Sequence, residues 1–131
     1  YYMYRKVTDI VLKHHYRFSE IAFITPLIDG LNLVAKEFAA ASDDGILILS
    51  KFAGASTDLR SAIIVNPYDV KEMAESLFIA LNMGQEERKA RLADLKAVVR
   101  RKNSSWWIAK IEKEIIKRWP GELNSAESED N

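Results

Sequence analysis

Apolar residues fall along this chain in two registers that alternate. Ile21 to Pro26, Ile46 to Ser50 and Ala62 to Val65 are short, almost wholly apolar runs, bounded by Gly, Asp, Asn or Pro. A parallel strand covered on both faces needs such a run, because neither of its faces can be polar. Between these runs the apolar positions recur three and four residues apart, the period of a helix with one buried face. Val7 to Tyr16 places Ile10, Val11 and His14 on one helical face, and Asn32 to Ala41 reads as a second helix, closed by the turn cluster Ser42-Asp43-Asp44-Gly45. Asp69 with Glu72 three residues on has the form of a capping box, followed at helical spacing by Val70, Met73, Ala74, Leu77 and Leu81. Gln85-Glu86-Glu87 opens a helix that ends in Arg100-Arg101-Lys102, charges that suit the dipole at each end. Trp107, Ile111, Ile115 and Trp119 mark a last helix. Tyr1 to Arg5 reads as one more short strand, and Gly54 to Arg60 as a loop of small residues with room for a helical turn.

Strands that alternate with helices and then give way to helices alone predict an α/β fold: a parallel sheet of about four strands flanked by helices and ending in a helical run. With 131 residues, 48% of them apolar, the chain fits one domain with a real core. That domain is expected over residues 1–120, with residues 121–131 a disordered polar tail rich in Ser and Glu. No internal repeat is visible.

Charge changes the picture only slightly. The 19 basic and 19 acidic residues cancel, but four of the acids lie after Pro120, so residues 1–120 carry an excess of four positive charges. That suits a small anionic ligand and does not call for nucleic acid. Cysteine is absent, which excludes disulfide and thiol chemistry and agrees with a cytoplasmic setting. No apolar stretch is long enough for a membrane span. The chain opens on Tyr1 with no signal peptide, as expected of part of a longer polypeptide.

The chemistry concentrates in Thr25-Pro-Leu-Ile-Asp-Gly-Leu-Asn-Leu-Val-Ala-Lys-Glu37, where a tight Asp-Gly turn joins a strand to a helix. Asp29 is delivered to the C-terminal edge of the sheet, the usual place for a ligand in an open parallel sheet. Gly30 lets backbone approach a ligand, and the N–H groups of Leu31 to Val34 are expected to open the helix, where unpaired donors and a positive dipole end favour phosphate.

Asp29-Gly30-Leu31-Asn32-Leu33-Val34-Ala35-Lys36-Glu37 resembles the hallmark Asp-Gly-Met-Asn-Leu-Val-Ala-Lys-Glu of the trehalose-6-phosphate synthases, retaining glucosyltransferases of the two-domain GT-B type. The likeness continues through Leu49-Ser50-Lys51-Phe52-Ala53-Gly54-Ala55 and Val65-Asn66-Pro67-Tyr68-Asp69, and covers roughly residues 1–118. It implies the C-terminal Rossmann-like, nucleotide-sugar-binding half of such an enzyme, incomplete at its N-terminal side. The family's roles fall here on Asp29, catalytic and hydrogen-bonded to hydroxyls of the donor glucose, and on the backbone of Gly30, Leu31 and Asn32 at the sugar. Leu33 and Val34 meet the phosphates, and Glu37 holds the ribose hydroxyls. The resemblance further implies a UDP-glucose type donor, glucose 6-phosphate as acceptor through the missing N-terminal half, no cofactor and no metal. It also puts the Gly54-Ala55-Ser56 loop near the donor, although a plain tight loop fits those residues as well. The family's phosphate-binding Arg and Lys lie upstream of the motif and have no counterpart here, so this chain alone is expected to turn over poorly or not at all.

The sequence departs from the family at Leu31, where Met is common, at Ile28, where Arg is common, and at Lys51, where Glu is common. The last two alter charge near the site and bear on substrate preference. A glucosylglycerol-phosphate synthase shares much of the motif and differs in acceptor. A non-catalytic relative that meets another chain, or a second copy of itself as a homo-oligomer, through the Trp106 to Trp119 helix is the other alternative. His14 and His15 have no Asp or Cys partner at ligand spacing, and the helical pattern is expected to bury one of them. Arg100-Arg101-Lys102 beside Trp106-Trp107 reads as a helix end and a packed helix rather than a nucleic-acid clamp. Asn103-Ser104-Ser105 is a glycosylation sequon by pattern only.

Overall fold

The computed structural model describes residues 7–118. The strand expected at Tyr1 to Arg5, Trp119 and the tail lie outside those residues. The chain divides into two compact units at Val99 and Arg100, inside the last turn of one helix.

The first unit is built on a sheet of three parallel strands, β1 (Ile21–Ile24), β2 (Ile46–Ser50) and β3 (Ile63–Val65), in the order of the sequence. Ile21 pairs with Ile46 and Ile48 with Ile63. About four strands were expected; among the described residues there are three. All five residues of β2 are buried, and their side chains alternate between two cores. Leu47 and Leu49 face Ala35, Phe38 and Ala39 of helix α2 (Leu33–Ala41) and Leu95 of helix α4 (Gln85–Arg101). Ile46 and Ile48 face the other way, with Val65, against Ala80 and Met73 of helix α3 (Val70–Leu81). Helices on both faces explain why β2 carries no alternation of polar residues.

β1 differs from the buried strand expected over Ile21 to Pro26. It ends at Ile24 and is only half-buried, with Phe23 exposed. Pro26 has no N–H to give a ladder, and β1 is the edge of the described sheet. Helix α1 (Asp9–Phe18) starts two residues later than expected and has no buried residue, so neither histidine is buried. It packs on α2, where the Tyr16 ring meets Phe38 edge to face with centroids 6.3 Å apart. His14, on a neighbouring face, stacks on Phe18 at 6.3 Å.

Asp69 caps α3 as expected, its carboxylate accepting from the Glu72 N–H at 3.0 Å, while its own N–H goes to the Asn66 carbonyl rather than back to Glu72. The buried face of α3 is set by Met73, Ser76 and Ala80; Val70, Ala74, Leu77 and Leu81 are exposed. Small residues let this helix lie close on β2 and β3, and that close fit fixes its rotation. Arg91 of α4 donates to the Ser61 carbonyl at 3.1 Å and Asp94 accepts from the Ser61 hydroxyl at 3.2 Å, tying α4 to the approach to β3.

In the second unit, helix α5 (Ser104–Arg118) is capped by Asn103, whose side-chain oxygen accepts from the Trp106 N–H at 3.0 Å. Of the cations read beside the tryptophans, Lys102 lies 5.3 Å from the Trp106 ring centre, and Lys110 of α5 lies 5.1 Å from the same ring. No described helix is long and apolar enough to cross a membrane.

Candidate functional site

Beyond β1 the chain turns at Asp29 and is held against the segment that follows β2. Asp29 forms a single parallel bridge with Ala53, an extension of the sheet by one residue pair. Its N–H donates to the Phe52 carbonyl at 3.3 Å, and its carbonyl accepts from the Gly54 N–H at 2.8 Å. The Ala55 N–H donates to the Leu31 carbonyl at 2.9 Å. Residues 29–32 and the 3-10 turn Gly54–Thr57, the loop that the family resemblance puts near the donor, are therefore hydrogen-bonded into one structure.

Glycine is required at position 54 by space, not by dihedral angle: no glycine among the described residues has a positive φ, but a Cβ on Gly54 would lie 2.0 Å from the Gly30 carbonyl oxygen. At Gly30 a Cβ would meet nothing within 4 Å. The fold itself thus leaves the Gly30 side chain direction open to whatever approaches it.

The Asp29 carboxylate is held within its own loop. One oxygen accepts from the N–H groups of Leu31 at 3.0 Å and Asn32 at 2.9 Å, the other from the Asn32 side-chain amide at 3.0 Å. These donors favour the charged form. The Leu31 N–H, the largest effect, holds the Asp29 carboxyl below the usual carboxylate range; burial opposes it, and the Asn32 side-chain and backbone donors add to the lowering. Asn32 sits at φ 62° and ψ 78°, a left-handed conformation that asparagine tolerates. Its side-chain oxygen accepts from the Ala35 N–H at 2.9 Å and starts α2.

The helix consequently begins at Leu33, one residue after the expected Asn32, which serves as its cap. The N–H groups of Leu31 and Asn32, expected to face a ligand, donate to Asp29 in this conformation. Those of Leu33 and Val34 are the first two of α2 and have no acceptor within the helix. Leu31, Leu33 and Val34 all expose their side chains.

Glu37 lies elsewhere on α2. It accepts from the Tyr16 hydroxyl at 3.2 Å and lines a cavity of about 770 Å³ between α1 and α2, with Lys13, Arg17, Ala40 and Ala41. None of residues 29–34 lines that cavity. Burial first, and then the Glu37 charge, push the Tyr16 hydroxyl above its ordinary value. The structure therefore gathers Asp29 to Asn32 into one turn, places Leu33 and Val34 at its helical end, and sets Glu37 in a groove on the α1 side. Lys51 lies over the Phe52 ring at 5.1 Å, and Ile28 is the most exposed large apolar side chain described.

Two features of this site were not read from the sequence. Tyr16 as the partner of Glu37 has no local signal, because 21 residues separate them. Lys36 and Asp58 form an ion pair at 3.5 Å with both side chains largely covered, and only the fold brings them together. Among the described residues no cluster of His, Cys, Asp or Glu could hold a metal.

Known proteins resemble this chain in sequence and fold. Trehalose-6-phosphate synthase of Enterobacter sp. strain 638 is 39% identical over 128 residues, 95% of this chain and 27% of that protein. A solved Escherichia coli structure bound with UDP-2-fluoro glucose superposes with a TM-score of 0.83 at 41% identity, covering 88% of this chain and 26% of that one. An alpha,alpha-trehalose-phosphate synthase (UDP-forming) from Burkholderia xenovorans in complex with glucose-6-phosphate gives a TM-score of 0.83 at 41% identity, over 87% of this chain and 26% of that one. The chain spans about a quarter of the length of these relatives. Its fold is that of the matching part of these enzymes, a parallel sheet flanked by helices. A family-level match extends over residues 1–117, and with the Asp29 to Glu37 motif in its turn at the sheet edge, the chain belongs to glycosyltransferase family 20.

Proposed function

We propose that this chain is the donor-binding part of a retaining glucosyltransferase that moves glucose from a nucleotide donor, UDP-glucose, to glucose 6-phosphate, forming α,α-trehalose 6-phosphate. The observation that carries the reading is the Asp29 to Val34 turn, set at the edge of a sheet that superposes on a relative bound with UDP-2-fluoro glucose. Departure of the nucleoside diphosphate develops negative charge on its outer phosphate. The Leu33 and Val34 N–H groups at the start of α2 suit that charge and need no reorganisation as it forms. Asp29, kept ionised by its own loop, accepts hydrogen bonds from sugar hydroxyls on the lone pairs its loop leaves over. The open space at Gly30 supports a sugar lying against that backbone. Glu37 offers a carboxylate to the paired ribose hydroxyls, with Tyr16 holding it in place. The reaction assigned here uses neither metal nor cofactor, and its acceptor is held mainly by protein beyond this chain, in a cytoplasmic enzyme.

The test is UDP release by the natural protein that carries this segment. Release from UDP-glucose that requires glucose 6-phosphate, yields a non-reducing disaccharide phosphate and is unchanged by EDTA supports the reading. Release with glycerol 3-phosphate in place of glucose 6-phosphate would replace it with a glucosylglycerol-phosphate synthase. Absence of any nucleotide-sugar binding would leave the chain an interaction module.

A further inference from the structure

The turn that follows β2 is held against the Asp29 loop by more than its backbone. Lys36, one turn into α2, and Asp58, which ends the Gly54–Thr57 turn, form an ion pair at 3.5 Å with side chains only 13% and 14% exposed. Removing two charges from water is costly, and a covered pair of this kind is weak evidence for net stability; what it can supply instead is a fixed geometry. The geometry in question is tight. Gly54 donates to the Asp29 carbonyl, Ala55 to the Leu31 carbonyl, and the Gly54 α-carbon sits so close to the Gly30 carbonyl that a single added carbon would collide with it. The pair spans the two bodies that meet there, the motif helix on one side and the turn on the other.

We propose that Lys36 and Asp58 are positioning residues for the donor site: their ion pair braces the Gly54–Thr57 turn against residues 29–32 and so fixes the loop that holds the sugar. Neither residue is assigned contact with substrate. The proposal rests on the function given above.

The brace is tested in the natural protein with the double variant Lys36→Met/Asp58→Leu, which removes both charges without leaving one alone, and with Lys36→Arg, which keeps the pair. Amide hydrogen exchange at Gly54 and Ala55 is expected to quicken about tenfold in the double variant, with β2 amides unchanged. The KM for UDP-glucose is expected to rise about tenfold, with the KM for glucose 6-phosphate unchanged and Lys36→Arg close to wild type. Unchanged exchange at Gly54 and Ala55 overturns the brace whatever the enzyme's activity. Faster exchange with an unchanged donor KM overturns its role at the donor site. A wild-type protein that turns over no nucleotide-glucose overturns the functional reading and the donor role with it, while the exchange data still decide whether the ion pair holds the turn.

Discussion

Asp29 illustrates how one side chain can serve two ends. It accepts from two backbone N–H groups and one side-chain amide of its own loop, so it is both a turn-former and a carboxylate kept charged. Because the Leu31 N–H above all depresses its folded pKa, its contribution to loop stability is present above the unfolded carboxylate pKa and is lost as pH falls through the lower folded value. The Leu31 and Asn32 amide resonances should therefore move together on acidification, with a midpoint below the ordinary carboxylate range; a midpoint inside that range would contradict the hydrogen bonding described. Glu37 gives a second prediction at this scale. It is exposed, so Glu37→Ala should weaken UDP-glucose binding by about tenfold, the worth of one charge-assisted hydrogen bond, without lowering the unfolding temperature. Equal affinity in calorimetric titration would remove it from the ribose role.

At the scale of elements, the junction of two loops decides the site. The Gly54 position has no room for a methyl group, and its neighbours there are backbone atoms that cannot rotate aside. Gly54→Ala should destabilise the fold by about 1–3 kcal/mol, the usual cost of forcing an extra carbon into a packed site, as read from denaturant midpoints. Gly30→Ala, with open space, should cost far less, and the contrast between the two isolates packing from backbone freedom. The helices show the same precedence of packing over pattern. The sequence places Val70, Leu77 and Leu81 of α3 on one apolar face, yet Ser76 and Ala80 are the buried residues, because small side chains let α3 approach the sheet. The starts of α2 and α3 were legible to within a residue, since Asn32 and Asp69 carry the cap on their own side chains.

For the whole molecule, the sheet and its covering helices form one unit, and α5 belongs to another. Trp107, Ile108, Ile111, Ile115 and Ile116 of α5 all expose apolar side chains, and clustered exposed apolar side chains favour association in water. Trp107→Ala should lower any self-association of the isolated chain in sedimentation velocity; an unchanged distribution would exclude this face as the contact. The sequence by itself determined the parallel α/β class, the β2 strand, the motif turn and the capped helix starts. Each of these is written in neighbouring residues: an apolar run of strand length, an Asp-Gly turn, or a side chain within three positions of the N–H it caps. Only the tertiary structure decided that Leu31 and Asn32 give their N–H groups to Asp29, that Glu37 pairs with Tyr16, that α1 buries no histidine, and that Lys36 meets Asp58 where Gly54 meets Gly30. Apart from the Asp29 turn, whose left-handed Asn32 is a matter of backbone angle, these pairings join residues far apart in sequence or depend on how one helix is rotated against another. That information resides in packing, which no local pattern of polar and apolar positions contains.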